Sequence, residues 1–276
     1  MKKLKINLRS VCFLSLLIIS CNKEKQDITP DMAAINRDTV STTFINSSSV
    51  MAETAVIRKL DKEIRNGVVS SQYTYDAHDR CIKEDYKDWH ITYTYGVNKV
   101  VATTVSSDPT KANVVKTYTL NALGLATICT YVFNNKDYRL EYEYNDRRQL
   151  TKRTFKTKTP TRATYTTEST NKYTYNSDGD CTSYIYQLTF TNVQFQYSYD
   201  KNHFNTLSNE YKGLEWLGKN SVHIPTMMIT LTGFYYPNWD SKLDWTYYTW
   251  TYDTAGYAIK KVTTGASTGT DLYTYK

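Results

Sequence analysis

The feature that most constrains this chain is a short unit that recurs seven times. Each copy has an aromatic, a polar, a second aromatic and a turn-forming residue, with leucine once replacing the second aromatic. The copies are Tyr73-Thr74-Tyr75-Asp76, Tyr93-Thr94-Tyr95-Gly96, Tyr118-Thr119-Leu120-Asn121, Tyr142-Glu143-Tyr144-Asn145, Tyr173-Thr174-Tyr175-Asn176, Tyr197-Ser198-Tyr199-Asp200 and Trp250-Thr251-Tyr252-Asp253. Their starts lie 20, 25, 24, 31, 24 and 53 residues apart. The last interval is near twice the others, so one unit is degenerate or is replaced by an insertion.

The columns of this unit have a physical meaning. The two aromatic positions are two residues apart, so they share one face of a strand. The fourth position is Asp, Asn or Gly in every copy, and these residues start tight turns. Three residues later the column contains Gly124, Gly179 and Gly256, which predicts a left-handed backbone in a short hairpin loop. Two residues further on, six of seven positions are apolar or cysteine, so the chain buries a face again.

A repeat of about 24 residues that is centred on a hairpin turn contains two strands. Turn signals such as Asn66-Gly67 and Asn134-Asn135 mark the opposite ends of these strands. The 26 tyrosines of the chain also favour strands, and helical periodicity is weak outside residues 207–218. The sequence therefore predicts an all-β fold. We expect an antiparallel up-and-down meander of about 15 strands over residues 54–276, curled into a barrel or half-barrel to limit open edges.

The first 20 residues have the pattern of a lipoprotein signal peptide. Four basic residues precede an apolar stretch from Val11 to Ile19, which is too short to span a bilayer. The apolar stretch is followed by a cysteine, and the four residues Ile18-Ile19-Ser20-Cys21 resemble a bacterial lipobox. That resemblance implies cleavage before Cys21 and a lipid-anchored cysteine, since two or more acyl chains anchor a protein stably. The alternative is an ordinary secretory signal with a chance cysteine.

Residues 21–53 are expected to form an acylated flexible tether. The segment begins with a fully polar run, is interrupted by Pro30, and becomes rich in Ser and Thr; a flexible chain of this length reaches roughly 30 Å. Asn22 is not the aspartate associated with inner-membrane retention, so we expect an outer-membrane anchor facing either the periplasm or the outside. Removal of residues 1–20 takes away four positive charges and no negative ones, so the net charge falls from +7 to +3. We therefore expect no nucleic-acid partner.

The repeat and its setting resemble two known groups of proteins. The Tyr-x-Tyr-Asp/Asn-x-x-Gly unit is similar to the tyrosine-aspartate repeats of bacterial shell-forming proteins. The combination of lipobox, tether, long meander and an interruption near residues 202–224 looks more like the Bacteroidota lipoproteins of domain-of-unknown-function family 4595. That resemblance implies a porin-like β-meander with no established activity. The chain departs from the usual pattern in lacking a proline after Asn202.

Four tryptophans are the candidate ligand-binding residues. Trp216 lies in the interruption, and Trp239, Trp245 and Trp250 follow within one late hairpin region that is also rich in tyrosine. Aromatic platforms of this kind stack on sugar rings or other flat apolar faces, so a glycan, a lipid or a protein are the expected ligands. The alternative is that these side chains fill the inside of a wide, curved sheet.

Other chemistry-bearing residues have simpler interpretations. Cys81 and Cys181 share the column that buries a face, so we interpret them, with Cys129, as buried apolar residues, although a disulfide stays open. Asn176, Asp178 and Asp180 lack the spacing of a calcium loop and are expected in a hairpin turn. The four histidines show no metal-ligand pairing; His78 and His203 fall in predicted turns. No cofactor or metal is expected.

No catalytic motif is present in the sequence, so we expect a monomeric binding or structural module rather than an enzyme. The alternative is an envelope hydrolase that uses two carboxylates brought together in space. Glu141 and Glu143 do not fit that role, because the flanking tyrosines place them on the solvated side of a strand. A barrel that spans the membrane is a further alternative. We favour a domain outside the bilayer, because residues 150–156 and 181–186 put charge or Thr on both faces.

Overall fold

The computed structural model describes residues 58–188, 191–234 and 241–276. These residues form sixteen strands in one closed sheet. The strands are β1 (Leu60–Arg65), β2 (Val68–Tyr75), β3 (Cys81–Asp85), β4 (Trp89–Gly96), β5 (Lys99–Ser106), β6 (Val114–Leu120), β7 (Ala126–Phe133), β8 (Lys136–Tyr144), β9 (Leu150–Lys158), β10 (Thr166–Tyr175), β11 (Cys181–Leu188), β12 (Thr191–Phe204), β13 (His223–Phe234), β14 (Ser241–Tyr252), β15 (Ala258–Gly265) and β16 (Gly269–Tyr275).

The sheet closes because the first strand pairs with the last. Strand β1 pairs with both β2 and β16 in antiparallel fashion, and Glu63 lies opposite Ser71 on one side and Tyr273 on the other. Every other strand pairs with its sequence neighbours. The prediction of an antiparallel meander of about 15 strands is confirmed, and of its two forms the closed barrel is the one observed. In the described part of the chain, no helix has the length and apolarity needed to cross a bilayer.

The aromatic columns of the repeat point into the barrel. Tyr73, Tyr93 and Tyr118, from the first column, are 3–6% exposed and belong to one large core cluster. Their strand neighbours Thr74, Thr94 and Thr119 are exposed on the outer face. Alternation along a strand thus directs the first-column tyrosines inward, where these large side chains fill part of the wide lumen of a sixteen-stranded barrel.

The predicted turns form at one end of the barrel. The fourth-column side chain accepts hydrogen bonds from backbone amides two and four residues ahead, as Asn145 does from Arg147 and Gln149. The left-handed backbone predicted from three glycines is present at Gly124, Gly179 and Gly256. The same conformation occurs in two non-glycine members of that column, Asp79 and Arg148. In the second unit the turn is shorter, because Gly96 pairs directly with Lys99, and Asn98 has the positive φ instead.

The long interval in the repeat is explained by the connection between β12 and β13. Residues 205–222, here called the plug, enter the barrel at the end that holds the repeat turns. The predicted helical tendency of residues 207–218 was mostly wrong: the described helix there is a single 3-10 turn, Glu215–Leu217. Strand β12 also extends to Phe204, so the irregular segment is shorter than the expected 202–224.

The plug is bonded to the wall at several points around the circumference. Backbone hydrogen bonds join it to the start of β1, the start of β3 and the β8–β9 turn, at the acceptors Tyr211, Gly213 and Arg148. Its side chain Trp216 packs edge-on against Tyr118, with ring centroids 4.5 Å apart. The plug therefore crosses the barrel interior instead of covering it from outside.

Several expectations fall on residues outside the described ranges. The signal peptide, the lipidation site Cys21, the tether and residues 54–57 all precede Arg58, and Trp239 lies within the undescribed residues 235–240. These expectations stay predictions.

Gly213 tests how rigidly the plug is seated. Its φ is +63°, and a Cβ there would lie 2.5 Å from the Asp79 carbonyl oxygen and 2.6 Å from the Cys81 nitrogen. Gly124 has a similar φ of +75° but open space around it. We expect Gly124→Ala to lower the free energy of unfolding by about 1 kcal/mol through backbone strain alone. Gly213→Ala should lower it by about 3 kcal/mol or more, because the plug must also shift. Urea denaturation measures both; equal losses would show that the plug moves freely.

Candidate functional site

The lumen contains two cavities that share the ring of Tyr86. The mouth cavity, of about 990 Å³, lies at the end opposite the plug and is formed by β3–β7 and their loops. The deep cavity, of about 380 Å³, lies against the plug and is formed mainly by β1–β3 and β12–β16. Small-molecule sites span about 300–1,000 Å³, so the mouth cavity lies at the upper end of that range and the deep cavity near its lower end.

The mouth cavity has an apolar wall built around a stacked aromatic pair. Tyr86 and Trp89 stack with ring centroids 3.7 Å apart and an interplanar angle of 14°. They flank the short β3–β4 turn, which brings them face to face, and Tyr86 N donates to the Trp89 carbonyl oxygen at 2.9 Å. Ile91, Val114 and Phe133 continue the same wall from β4, β6 and β7. Such a surface is suited to a flat or extended apolar ligand.

One cationic side chain enters this wall. Lys116 follows Val114 on the inward face of β6 and lies opposite the small Ala102 of β5. Its ammonium lies 5.4 Å from the centre of the Tyr131 ring. Burial lowers the pKa of Lys116 below its usual value, because desolvation disfavours the charged form.

The deep cavity is charged but balanced. Lys212 of the plug forms an ion pair with Glu63 at 2.6 Å, and Asp271 is shared by Arg65 at 2.8 Å and Lys261 at 2.7 Å. These pairs tie the plug and strands β1, β15 and β16 together from inside. Removal of one partner from a buried ion pair destabilises the fold, because the other charge is left without a partner.

A third carboxyl group, that of Glu84, is 2% exposed in the same cavity. It accepts hydrogen bonds from the hydroxyls of Tyr86 and Tyr93. Burial raises the pKa of Glu84, and the negative charge of Glu63 acts in the same direction. Burial also acts to raise the pKa of Glu63, but the adjacent Lys212 ammonium outweighs it and the pKa is lowered. The cavity therefore holds one carboxyl group whose pKa is raised and one whose pKa is lowered.

The structure does not bring the candidate tryptophans together. Trp216 is buried in the plug. Trp250 faces the deep cavity, where its indole N–H donates to the Pro225 carbonyl oxygen at 2.6 Å. Trp245 is 40% exposed on the outer face of β14, opposite Ile229 of β13. The strand alternation alone separates Trp245 from Trp250, because five residues along a strand reverse the face.

Trp245 belongs to an apolar stripe on the outside of the barrel. Its members alternate along the long β13–β14 hairpin, and Leu243, Trp245 and Tyr247 are 40–48% exposed. By contrast, the outer face of β8 and β9 carries a ladder of ion pairs between Asp137, Glu141 or Glu143 and a lysine of β9. The expectation that Glu141 and Glu143 lie on the solvated side is confirmed.

The cysteines match their interpretation. Cys81, Cys129 and Cys181 are free, fully buried thiols, and burial raises the pKa of Cys129 to about 11. Asn176 caps its hairpin turn as expected, since its side chain accepts from Asp180 N. Among the described residues, no group of His, Cys, Asp and Glu side chains could hold a metal ion.

Two histidines have closer partners than expected. His78 lies in a turn, but the prediction of a turn for His203 was wrong. That residue lies in β12, stacks on Tyr252 at 3.6 Å and pairs with Asp200 at 2.8 Å. His223 pairs with the fully buried Asp180 at 2.9 Å, which joins β13 to the β10–β11 turn.

The sequence did not single out the residues of the mouth cavity. Tyr86, Trp89 and Lys116 all lie outside the repeat unit, so its columns do not point to them. One signal was available: Trp89 is two residues before Ile91 and four before Tyr93, so alternation places all three on the inner face. Nothing in the sequence shows that Lys116 lacks an acidic neighbour, because that depends on three adjacent strands.

Several solved structures resemble this barrel, and two of them are porin-like proteins from Bacteroides. A porin-like protein from Bacteroides uniformis aligns with a TM-score of 0.56 and 19% identity, over 75% of this chain and 90% of that one. A porin-like protein from Bacteroides vulgatus aligns with a TM-score of 0.55 and 11% identity, over 79% of this chain and 99% of that one. No family model matches the sequence, and no curated protein matches it. The likeness confirms a porin-like barrel fold; at these identities it shows the fold alone.

Replacing Glu84 should change how stability depends on pH. Because the folded pKa of Glu84 is raised above the ordinary value of 4.5, its contribution is complete below pH 4.5 and is lost as the pH rises through the folded pKa. Relative to Glu84→Gln, the wild type should therefore lose up to about 1.4 kcal/mol of unfolding free energy for each pH unit in that window.

Glu63→Gln is the matched control, measured with Glu84→Gln by chemical denaturation between pH 4 and 8. The pKa of Glu63 is lowered, so its contribution is constant above about pH 5 and is lost only at lower pH. Parallel curves for the wild type and Glu84→Gln would contradict the raised pKa of Glu84.

Proposed function

We propose that this protein is a lipid-anchored binding module of the cell envelope that holds a small apolar or amphipathic ligand in the mouth cavity. The observation that carries the proposal is the stacked Tyr86–Trp89 pair in a cavity of about 990 Å³, with the plug crossing the barrel behind it. A lumen crossed by the plug favours a binding pocket over a channel. Of the three ligand classes expected from the sequence, a cavity of this size favours a lipid or a glycan unit over a protein.

The proposed location rests on the lipobox-like sequence before Cys21 and on where the chain enters the barrel. Arg58, the first described residue, forms an ion pair with Asp253 and lies 4.0 Å above the Tyr257 ring, in the β14–β15 turn at the plug end. A tether that leads to Cys21 would leave from that end, so the mouth would face away from the anchoring membrane. The porin-like fold agrees with membership of the domain-of-unknown-function family 4595, which we propose on the resemblance given above. The charged ladder outside β8 and β9 favours a barrel that lies outside the bilayer.

Lipidation of Cys21 is testable in cells of the native host. We expect the wild type in the membrane fraction and Cys21→Ala in the soluble fraction, because the substitution removes the thioether and the cleavage site. Cys129→Ala is a matched control that should stay with the membrane. If Cys21→Ala stays in the membrane fraction, the proposed lipid anchor at Cys21 is contradicted.

The second candidate function is a hydrolase that uses Glu84 as an acid and Glu63 as a base or nucleophile. The observation that favours it is that the two carboxyl groups share the deep cavity while their pKa values shift in opposite directions, which is a pattern of acid-base pairs in enzymes. It ranks second because both groups already bond to the protein, Glu84 to two tyrosines and Glu63 to Lys212. Hydrolysis of a nitrophenyl glycoside that is lost in Glu84→Gln would reverse the order.

The binding proposal is tested with N-phenyl-1-naphthylamine, a neutral aromatic dye whose emission rises in apolar sites. We expect Trp89→Ala to weaken its binding about tenfold, the effect of losing one good aromatic contact. Trp245→Ala is the matched control on the outer face and should bind like the wild type. Weaker binding by Trp245→Ala together with no effect of Trp89→Ala would instead favour the outer stripe, which contains Trp245, one of the four tryptophans expected from the sequence to bind a ligand.

A further inference from the structure

Lys116 is an inward-facing lysine without a counter-charge. It forms no hydrogen bond or ion pair with any described residue, and its contact is the Tyr131 ring at 5.4 Å. Two other inward-facing lysines differ: Lys212 has Glu63 at 2.6 Å and Lys261 has Asp271 at 2.7 Å. Lys116 is half-buried, and an ammonium that is partly withdrawn from water without a partner destabilises a fold. An unpaired lysine in a cavity wall is therefore a candidate ligand-binding residue.

The surroundings of Lys116 add to its positive field. Arg153 of β9 faces the lumen opposite Tyr142, and its charge lowers the pKa of Lys116. The pKa of Lys116 is shifted by burial, by the Cys129 thiol and by Arg153. No carboxylate is among these causes. The acidic lumenal residues are gathered instead in the deep cavity, where Lys212, Lys261 and Arg65 neutralise them. This side of the lumen thus attracts a negative group.

We infer that the mouth cavity binds an amphipathic ligand with one anionic group, which pairs with the Lys116 ammonium while its apolar or aromatic body lies against Tyr86, Trp89 and Phe133. This inference rests on the proposed function and names the ligand class of that same site. A carboxylate, a sulfonate or a phosphate monoester on an acyl or aryl body has the required chemistry.

The rim of the cavity favours a single charge over several. Asp88 and Asp108 lie in the loops that border the opening. The Asp108 carboxylate accepts from Thr110 N at 3.0 Å and Thr110 Oγ1 at 2.7 Å, and Lys111 approaches it at 3.7 Å. A polyanion would meet these two carboxylates before it reached Lys116. A ligand whose neutral body fills the opening and whose one charge lies deeper avoids that repulsion.

The test compares two dyes that differ by one charged group, on the purified full chain. 1-Anilinonaphthalene-8-sulfonate has the aromatic body of N-phenyl-1-naphthylamine plus one sulfonate. We expect the wild type to bind the sulfonated dye more tightly. Lys116→Met, which keeps most of the length of the side chain without its charge, should weaken binding of the sulfonated dye about tenfold, as expected for a lost charge-assisted contact, and leave binding of the neutral dye unchanged. Lys116→Arg should restore the preference.

Two controls separate binding from folding. Lys172→Met removes an exposed lysine from the outer face of β10 and should bind both dyes like the wild type. Lys116→Met should unfold at the same temperature as the wild type or a higher one, since it removes an unpaired buried charge. A lowered unfolding temperature would show that Lys116 has a structural role and would count against the site.

Competition identifies the source of the anion. Displacement of the sulfonated dye by decanoate but not by decyl phosphate supports a carboxylate ligand, the reverse supports a phosphate ligand, and displacement by both supports the shared chemistry. Equal displacement by decanol, which has no charge, overturns the inference. Equal binding of both dyes by the wild type and Lys116→Met also overturns it, yet leaves the proposed function standing. If the wild type does not bind the neutral dye at the mouth cavity, the proposed function is overturned.

Discussion

The barrel depends on a hydrogen bond from a tyrosine hydroxyl to a backbone carbonyl in the preceding hairpin. The donors are the second aromatic residues of four repeat units, and Tyr275 of β16 has the same role. Tyr75 donates to Leu60, Tyr95 to Cys81, Tyr175 to Leu150, Tyr199 to Cys181 and Tyr275 to Ala258, at 2.6–3.1 Å. Each acceptor lies beside a shift in strand register. A bulge displaces one residue from the ladder, and the buried carbonyl there needs a donor, which the next tyrosine supplies.

This bond also explains where the plug lies. The series is interrupted where the third unit has Leu120 in place of tyrosine, and the buried hydroxyl of Tyr144 in the fourth unit has no partner among the described residues. The plug packs against this same sector. A Cβ at Gly218 would lie 2.5 Å from the Tyr144 ring, and Trp216 contacts Tyr118. The plug also contacts other sectors, for example Tyr275 through Thr206, so in this sector it adds packing where the repeat provides fewest of these bonds.

The sequence predicted those parts of the fold that repeat. The periodicity of Tyr-x-Tyr and the turn residues at fixed offsets determine strand number, direction and inward face, because each depends on neighbours in the chain. Closure depends on the pairing of β1 with β16, more than 200 residues apart, so the barrel and half-barrel could not be distinguished. The tryptophan prediction shows the same limit. Nearness in sequence grouped Trp239, Trp245 and Trp250, but alternation of faces puts Trp245 outside and Trp250 inside.

The lumen divides its charges unequally, and the division follows from the topology. In a meander, the strands that close the barrel bring β1 and the last strand together, so Arg65 of β1 meets Asp271 of β16 and Glu63 lies opposite Tyr273. The plug adds Lys212 to that side. The mouth side is built from consecutive strands β3–β7, where Lys116 is opposed by Ala102 and by no lumenal carboxylate that shifts its pKa. Neutralising Lys116 from within the barrel would require an acidic residue at an inward position of β5 or β7. Those inward positions include Val100, Ala102, Cys129 and Tyr131, so these two described strands place no carboxylate beside Lys116.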